Sequence, residues 1–244
     1  WAEIQMNPTD NLTNIGEDYL DILSNFSENE KKRFLEGEWR DDNPHAMFKS
    51  EWIFENRLTT PIDIEHDFER IVVAIDPAGS SQEGSDETGI VVVALDSEQH
   101  VHVLEDASGR YKPEEWASKA VKLYHKYMAD HIVAEKNYGG EMVAHTIRTI
   151  DPKVPLKTVT ATRGKAIRAE PVAMLYSQNK VHHRGAFGEL ETQLEDFVVD
   201  YNRSKNGSPD RLDALVWGIT DIANLNDAHK SSRAKSQPVK NFWR

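Results

Sequence analysis

Apolar residues are distributed in two ways along the chain. From residue 70 onward they come in short unbroken runs, and between those runs in helical stripes. Ile71–Val72–Val73–Ala74–Ile75 is continuous and largely β-branched, which predicts a strand buried on both faces. Asp76–Pro77 ends it. A polar loop with Gly79, Gly84 and several serines runs from Ala78 to Glu87, and a second apolar strand is predicted over Thr88–Leu95. Asp96–Ser97–Glu98 reads as a turn and His100–Asp106 as a third strand, so these strands form an antiparallel meander. Pro113 at a first helical position, followed by Glu114 and Glu115, opens a helix whose buried stripe is Trp116, Ala120, Leu123, Tyr124 and Tyr127. His131–Glu135 is a fourth strand, a tight loop follows at Asn137–Gly140, and a helix runs over about 141–150. Leu156–Ala161 is a fifth strand. Lys165–Gln178 is helical in composition, with Pro171 either kinking it or sitting in its first turn. A short extended piece at Lys180–Arg184, a helix at Phe187–Phe197 and a long helix from Pro209 to about Leu225 complete the pattern. A meander followed by β–α alternation predicts an α/β fold: a mixed central sheet with helices on both faces.

Residues 1–57 differ. Tyr19, Leu20, Ile22, Leu23 and Phe26 stripe one helix, and Ser27 with Glu30 has capping-box spacing for a second that stops near Gly37. The division expected is a helical linker at 1–57, a main domain at 58–226 and a flexible tail at 227–244. The tail carries Lys230, Arg233, Lys235, Lys240 and Arg244 with no acid after Asp227. A start at Trp1 suggests a piece of a longer chain. No apolar run approaches about 18 residues, so no membrane span is predicted. Cysteine is absent, which removes disulfides, thiol catalysis and cysteine-based zinc sites. The formal net charge is −12, opposite to that of a simple DNA-coating protein, so any nucleic-acid contact must be local or assisted.

Candidate chemistry lies in the acids. Asp76 closes the first strand and Glu135 the fourth, and ligand sites in open α/β sheets lie at such carboxyl ends. Asp210 and Asp213 stand about 60° apart around the last helix, and Asp213 adjoins its apolar face. Three of the four have an ordinary alternative: a plain turn for Asp76, a pairing with Lys136 or Lys165 for Glu135, a helix N-cap for Asp210; Asp213, inside the helix beside the core face, is harder to dismiss. Together they make a hard-oxygen set suited to Mg²⁺ or Mn²⁺. Without metal their mutual repulsion should raise at least one pKa. Two ions about 3.5–4 Å apart would activate water and stabilise a leaving oxygen in phosphodiester cleavage. Asp86 is either a further acid of this site or a cap beside Gly89, and Asn137 is placed behind the ligands. Lys136, Arg163, Lys165 and Arg168 either line a DNA groove or form a solvated face. His182 and His183, being adjacent on an extended piece, point to opposite faces and suit structural roles. Trp116 and Trp217 fit helix core faces.

Four stretches carry a family resemblance: IVVAIDPAGSSQEGSDETGIVVVALD (71–96), IVAEKNYGG (132–140), GKAIRAEPVAMLYSQNKVHH (164–183) and SPDRLDALVWG (208–218). In this order they resemble the ribonuclease H-like (RuvC-like) nucleases, specifically the C-terminal nuclease domain of tailed-bacteriophage large terminases. FLEGEW (34–39) resembles the segment after the terminase ATPase domain. The resemblance implies a ribonuclease H-like fold in which Asp76, Glu135 and Asp213 are catalytic and metal-binding. Asp210 falls at a further metal or near-metal position.

The activity implied is Mg²⁺- or Mn²⁺-dependent endonuclease cleavage of concatemeric double-stranded DNA in a viral packaging motor, largely independent of sequence. Portal protein, small terminase subunit and the ATPase domain of the full-length chain are the implied partners, and the host cytoplasm is the implied location. No G-x-x-x-x-G-K-[ST] motif occurs, since Gly164–Lys165 is followed by Ala166, so no ATP hydrolysis is expected of this chain. Two alternatives remain: a junction-resolving or transposase-like nuclease of the same fold, or a non-catalytic docking module for portal or small terminase.

Overall fold

The computed structural model describes residues 23–27, 31–32, 43–78, 86–136, 140–203 and 207–225. Their elements run α1 (Ser50–Glu55), β1 (Arg70–Asp76), β2 (Gly89–Leu95), β3 (Val101–Asp106), α2 (Pro113–Lys126), β4 (His131–Glu135), α3 (Gly140–Ile150), β5 (Leu156–Val159), α4 (Lys165–Ser177), β6 (Val181–His183), α5 (Gly188–Asp196) and α6 (Asp210–Ile222). The strands form one sheet in the order β5-β4-β1-β2-β3-β6. β1, β2 and β3 pair antiparallel as the expected meander, while β4 and β5 join β1 in parallel and β6 joins β3 in parallel.

The unbroken apolar runs are explained by cover on both faces. Ile71, Val73 and Ile75 of β1 point to a core shared with Trp116, Ala120 and Leu123 of α2 and Val143 and Ile147 of α3. Val72 and Ala74 point the other way, toward Val172 and Tyr176 of α4, Leu190 and Leu194 of α5, and Leu212, Leu215 and Ile219 of α6. This alternation decides where the terminal acids go. Asp76 has the parity of Val72 and Ala74, and Glu135 that of Val133, so both lie on the α6 side of the sheet. Ile75 pairs with Ala134, which sets Asp76 and Glu135 side by side at the carboxyl edge.

α6 lies across β1, β2 and β4, and all its residues but Thr220 are buried. Two glycines permit that close approach. A Cβ on Gly89 would lie 2.0 Å from the backbone oxygen of Asp210, and one on Gly218 would meet Ala74 and Val93 at 3.0 Å. Gly89 is also the register partner of Asp76, so the helix start and the strand end meet over a residue without a side chain.

Some elements differ from expectation. α1 lies in a stretch where no helix was read. It buries only Ile53, and one buried residue in six leaves no periodic stripe to read. Before it, Phe48 packs edge-on against Tyr176 at 5.4 Å. Met47 N–H donates to the Phe197 carbonyl and Leu58 N–H to the His183 carbonyl, both at 2.8 Å. Pro171 sits inside α4 rather than in its first turn. The two helices expected within 16–37 fall mostly outside the described residues, where Leu23, Ser24, Lys31 and Lys32 are helical. The FLEGEW segment and the basic tail also lie outside them. His182 and His183 do point apart: His182 hydrogen-bonds His100 and the Asn56 carbonyl, whereas His183 is buried between Tyr176 and Glu191.

Gly89→Ala should force β2 and the start of α6 apart and cost about 1–3 kcal/mol, the usual range for overpacking. Urea unfolding measures this, and Gly218→Ala, where the neighbours are side chains at 3.0 Å, should cost less.

Candidate functional site

The first turn of α6 brings the last two acids to the sheet edge. Asp210 is its first residue and Pro209 its N-cap, so Asp210 is not the capping residue; no side chain caps from that position. The orphan N–H groups of Arg211 and Leu212 are taken instead by Gln193 Oε1 of α5, at 3.0 and 3.2 Å. The positive end of the helix therefore faces the carboxylates, which favours anions there.

Asp76, Asp210 and Asp213 are buried and Glu135 is half-buried. Burial first, and then the charges of Asp213, Glu135 and Asp210, push the Asp76 carboxyl well above the usual carboxylate range, against a smaller opposing effect of Lys165. Burial also raises Asp210, to about 6, although the Ser208 hydroxyl donates to it and opposes the rise. One oxygen of Asp210, Oδ2, is buried with no hydrogen-bond partner among the described residues.

Cations fill part of this acidic site, an arrangement the sequence did not announce. Lys165, the first residue of α4, forms an ion pair with Asp213. Arg168, one turn on, donates from Nη2 to Asp213 Oδ1 at 3.2 Å, and its Nη1 lies 3.7 Å from Glu135 Oε2. Its guanidinium rests on the Trp217 ring, 4.4 Å from the centroid. Trp217 Nε1–H in turn donates to Glu135 Oε2 at 2.7 Å. Glu135 is thus held by Trp217 and Arg168, not by Lys136 or Lys165. Lys165 and Arg168 point into the carboxylate cluster, whereas Lys136 and Arg163 are exposed. Asp86 is an exposed partner of Arg203 rather than a cap at Gly89. Asn137 lies outside the described residues.

Two residues important to this geometry were missed as site residues. Trp217 stands one helical turn after Asp213, a spacing that was a signal available in the sequence. Arg211 is buried between Glu87 (2.8 Å), Asp106 (2.7 Å) and Glu189. Burial pulls its pKa down, but Glu87 and Asp106 more than offset this and raise it. It ties Glu87, just before β2, the end of β3 and the start of α5 to the start of α6, contacts that no local pattern encodes.

Among the described residues, no group of three or more His, Asp and Glu side chains is already arranged as ligands around one point. The donor set nonetheless fits a divalent cation. It is all oxygen, its other carboxylates push the Asp76 carboxyl up, and Asp210 keeps a buried oxygen without a partner among the described residues. Asp76, Glu135, Asp210 and Asp213 are the residues that would hold it.

Together the fold and this acid-lined edge define a ribonuclease H-like α/β domain. Residues 73–221 match the model of the terminase RNaseH-like domain, and the chain belongs to that family. Solved structures share the fold. The nuclease domain of the large terminase subunit gp2 of bacterial virus Sf6 is 16% identical, with a TM-score of 0.53, over 71% of this chain and 98% of that one. The human cytomegalovirus terminase nuclease domain, soaked with Mn and inhibitor-bound, is 12% identical with a TM-score of 0.53, over 75% and 98%. The large terminase of a thermophilic bacteriophage, in complex with ADP, is 13% identical with a TM-score of 0.54 over 90% of this chain but 55% of that one. No curated protein sequence matches the chain.

A carboxyl with a raised pKa keeps in the folded state a proton that the unfolded chain has released. Its contribution to stability therefore falls as pH rises from its unfolded to its folded value. For Asp210 that window runs from 3.8 to about 6, and Asp76 shifts in the same direction. In chelator, Asp76→Asn and Asp210→Asn should raise the melting temperature above wild type at pH 7.5 and leave it near wild type at pH 4. An equal gap at both pH values would contradict the assigned titrations.

Proposed function

We propose that this chain is the nuclease part of a viral DNA-packaging motor, a divalent-metal-dependent endonuclease acting on double-stranded DNA. The observation that carries this reading is the crowding of Asp210, Asp213 and Glu135 around the buried Asp76, at the carboxyl edge of β1 and β4. Membership of the terminase family and the manganese in the cytomegalovirus relative support it.

Mg²⁺ or Mn²⁺, two ions in this reading, would supply activation of water and stabilisation of the leaving oxygen. The chain's own residues do the rest. β1 and β4 hold Asp76 and Glu135 in a fixed register, and α6 fixes Asp210 and Asp213 against them. Asp210 offers Oδ2, unpartnered among the described residues, to a cation. Lys165 and Arg168 together balance Asp213, and Arg168 lies beside Glu135 as well. Lys136 and Arg163, exposed beside the site, are placed to meet phosphates, contacts that position DNA without reading bases.

With a net charge of −12, the domain repels DNA at long range, and a few basic residues offset that only locally. Binding by the isolated chain should therefore be weak, salt-sensitive and indifferent to sequence, with the motor's other parts supplying DNA and timing. In the same reading residues 1–57 are the link to an ATPase domain, 58–226 are the nuclease and 227–244 a basic tail. The host cytoplasm is the working compartment, and portal protein and small terminase are partners.

Nicking of supercoiled plasmid in Mn²⁺ tests the reading. Wild type should cut without ATP at scattered positions, Asp76→Ala should show no cutting, and Asp210→Ala should lose about 10–100-fold, the range seen when a supporting or outer ligand is removed. Cutting by Asp76→Ala at the wild-type rate would refute the site assignment. No cutting by the wild type would favour a non-catalytic docking module.

A further inference from the structure

Trp217 touches both an acidic and a basic member of the site. It is 5% exposed, and a buried indole needs an acceptor for its N–H. Here the acceptor is a carboxylate rather than a backbone carbonyl: Glu135 Oε2, at 2.7 Å. Charge-assisted bonds of this kind are short, strong and directional. The face of the same ring carries the Arg168 guanidinium at 4.4 Å, a cation–π contact that holds the planar group flat. From that seat Arg168 reaches Asp213 Oδ1 through Nη2, while its Nε and Nη1 are buried without a hydrogen-bond partner among the described residues. Trp217 and Asp213 lie four residues apart on α6, so one turn of helix supplies both a carboxylate and the ring that arranges its neighbours.

We infer that Trp217 is a positioning residue of this site: its indole N–H sets the orientation of the Glu135 carboxylate, and its ring face seats Arg168 between Glu135 and Asp213. The inference deepens the proposed metal-dependent reading and rests on it for the role of Glu135. The indole engages one oxygen of Glu135, Oε2, and leaves Oε1 as the oxygen it does not engage, so the carboxylate meets a cation in one orientation instead of several. Were Trp217 only core filler, loss of the N–H would leave cation binding unchanged.

The test uses the whole chain labelled with ¹⁵N in its tryptophan side chains. Glu135→Gln removes the anionic acceptor and should move one indole resonance, the one absent in Trp217→Phe, while the others stay in place. By calorimetry, Trp217→Phe, which keeps a ring beneath Arg168 but no donor, should bind Mn²⁺ about 10–100-fold more weakly than wild type. In the Glu135→Gln background the same substitution should make no further difference. An unmoved indole resonance in Glu135→Gln, or wild-type Mn²⁺ affinity in Trp217→Phe, overturns the inference. Should Trp217→Phe not fold, Trp217→Tyr or Trp217→Leu assigns the resonance instead, and the shift itself is read on the native tryptophan. Absence of Mn²⁺ binding by the wild type would overturn the metal-dependent reading instead, and the indole resonance would still report whether Trp217 holds Glu135.

Discussion

Like charges crowded at a buried sheet edge set the terms for the rest of this molecule. Asp76 loses solvation and faces three other carboxylates, so its ionised form is unfavourable by itself. Such an arrangement persists only if the surrounding fold holds it rigidly and if cations share the space. Both conditions are met. The rigid part is the core beneath the site, where apolar β1 and β2 lie under an almost wholly buried α6. The cations belonging to the chain are Lys165 and Arg168, delivered together from the first turn of α4.

The start of α6 is where these demands meet. It must approach β2 closely enough that Gly89 cannot carry a side chain. It must also present two acids inward while its own N–H groups are satisfied from elsewhere, by Gln193. Arg211, between these acids in sequence, turns to the other side and binds Glu87, Asp106 and Glu189. Adjacent residues of one helical turn thus do opposite electrostatic work: Asp210 and Asp213 build up negative charge at the site, and Arg211 neutralises it just outside. Because buried pairs are costly to break from one side, Arg211 locks the turn in place.

Local and global electrostatics pull in different directions. The whole chain is acidic, yet Lys136, next to Glu135 in sequence, and Arg163, two residues before Lys165, are both exposed cations. A chain of this charge gains little from long-range attraction to a polyanion.

Much of the architecture was legible because two-sided burial leaves an unmistakable trace. The runs at 71–75 and 89–95, the acids that end β1 and β4, and the inward placement of Asp213 all follow from local pattern, since periodicity encodes which face a residue presents. α1 was not legible, because six residues with one buried side chain carry no period. The place of Asp210 was not settled either, because an acid before an apolar run reads equally as a cap or as a ligand; only the tertiary structure shows that Pro209 is the N-cap and Asp210 the first helical residue. The sequence by itself determined the strands, the helices other than α1, and the acids at their ends. Tertiary structure alone decided that Lys165 and Arg168 face inward and that Trp217 holds Glu135. Those contacts join residues 45–82 positions apart, and no periodicity within a segment records a neighbour that folding brings from so far away.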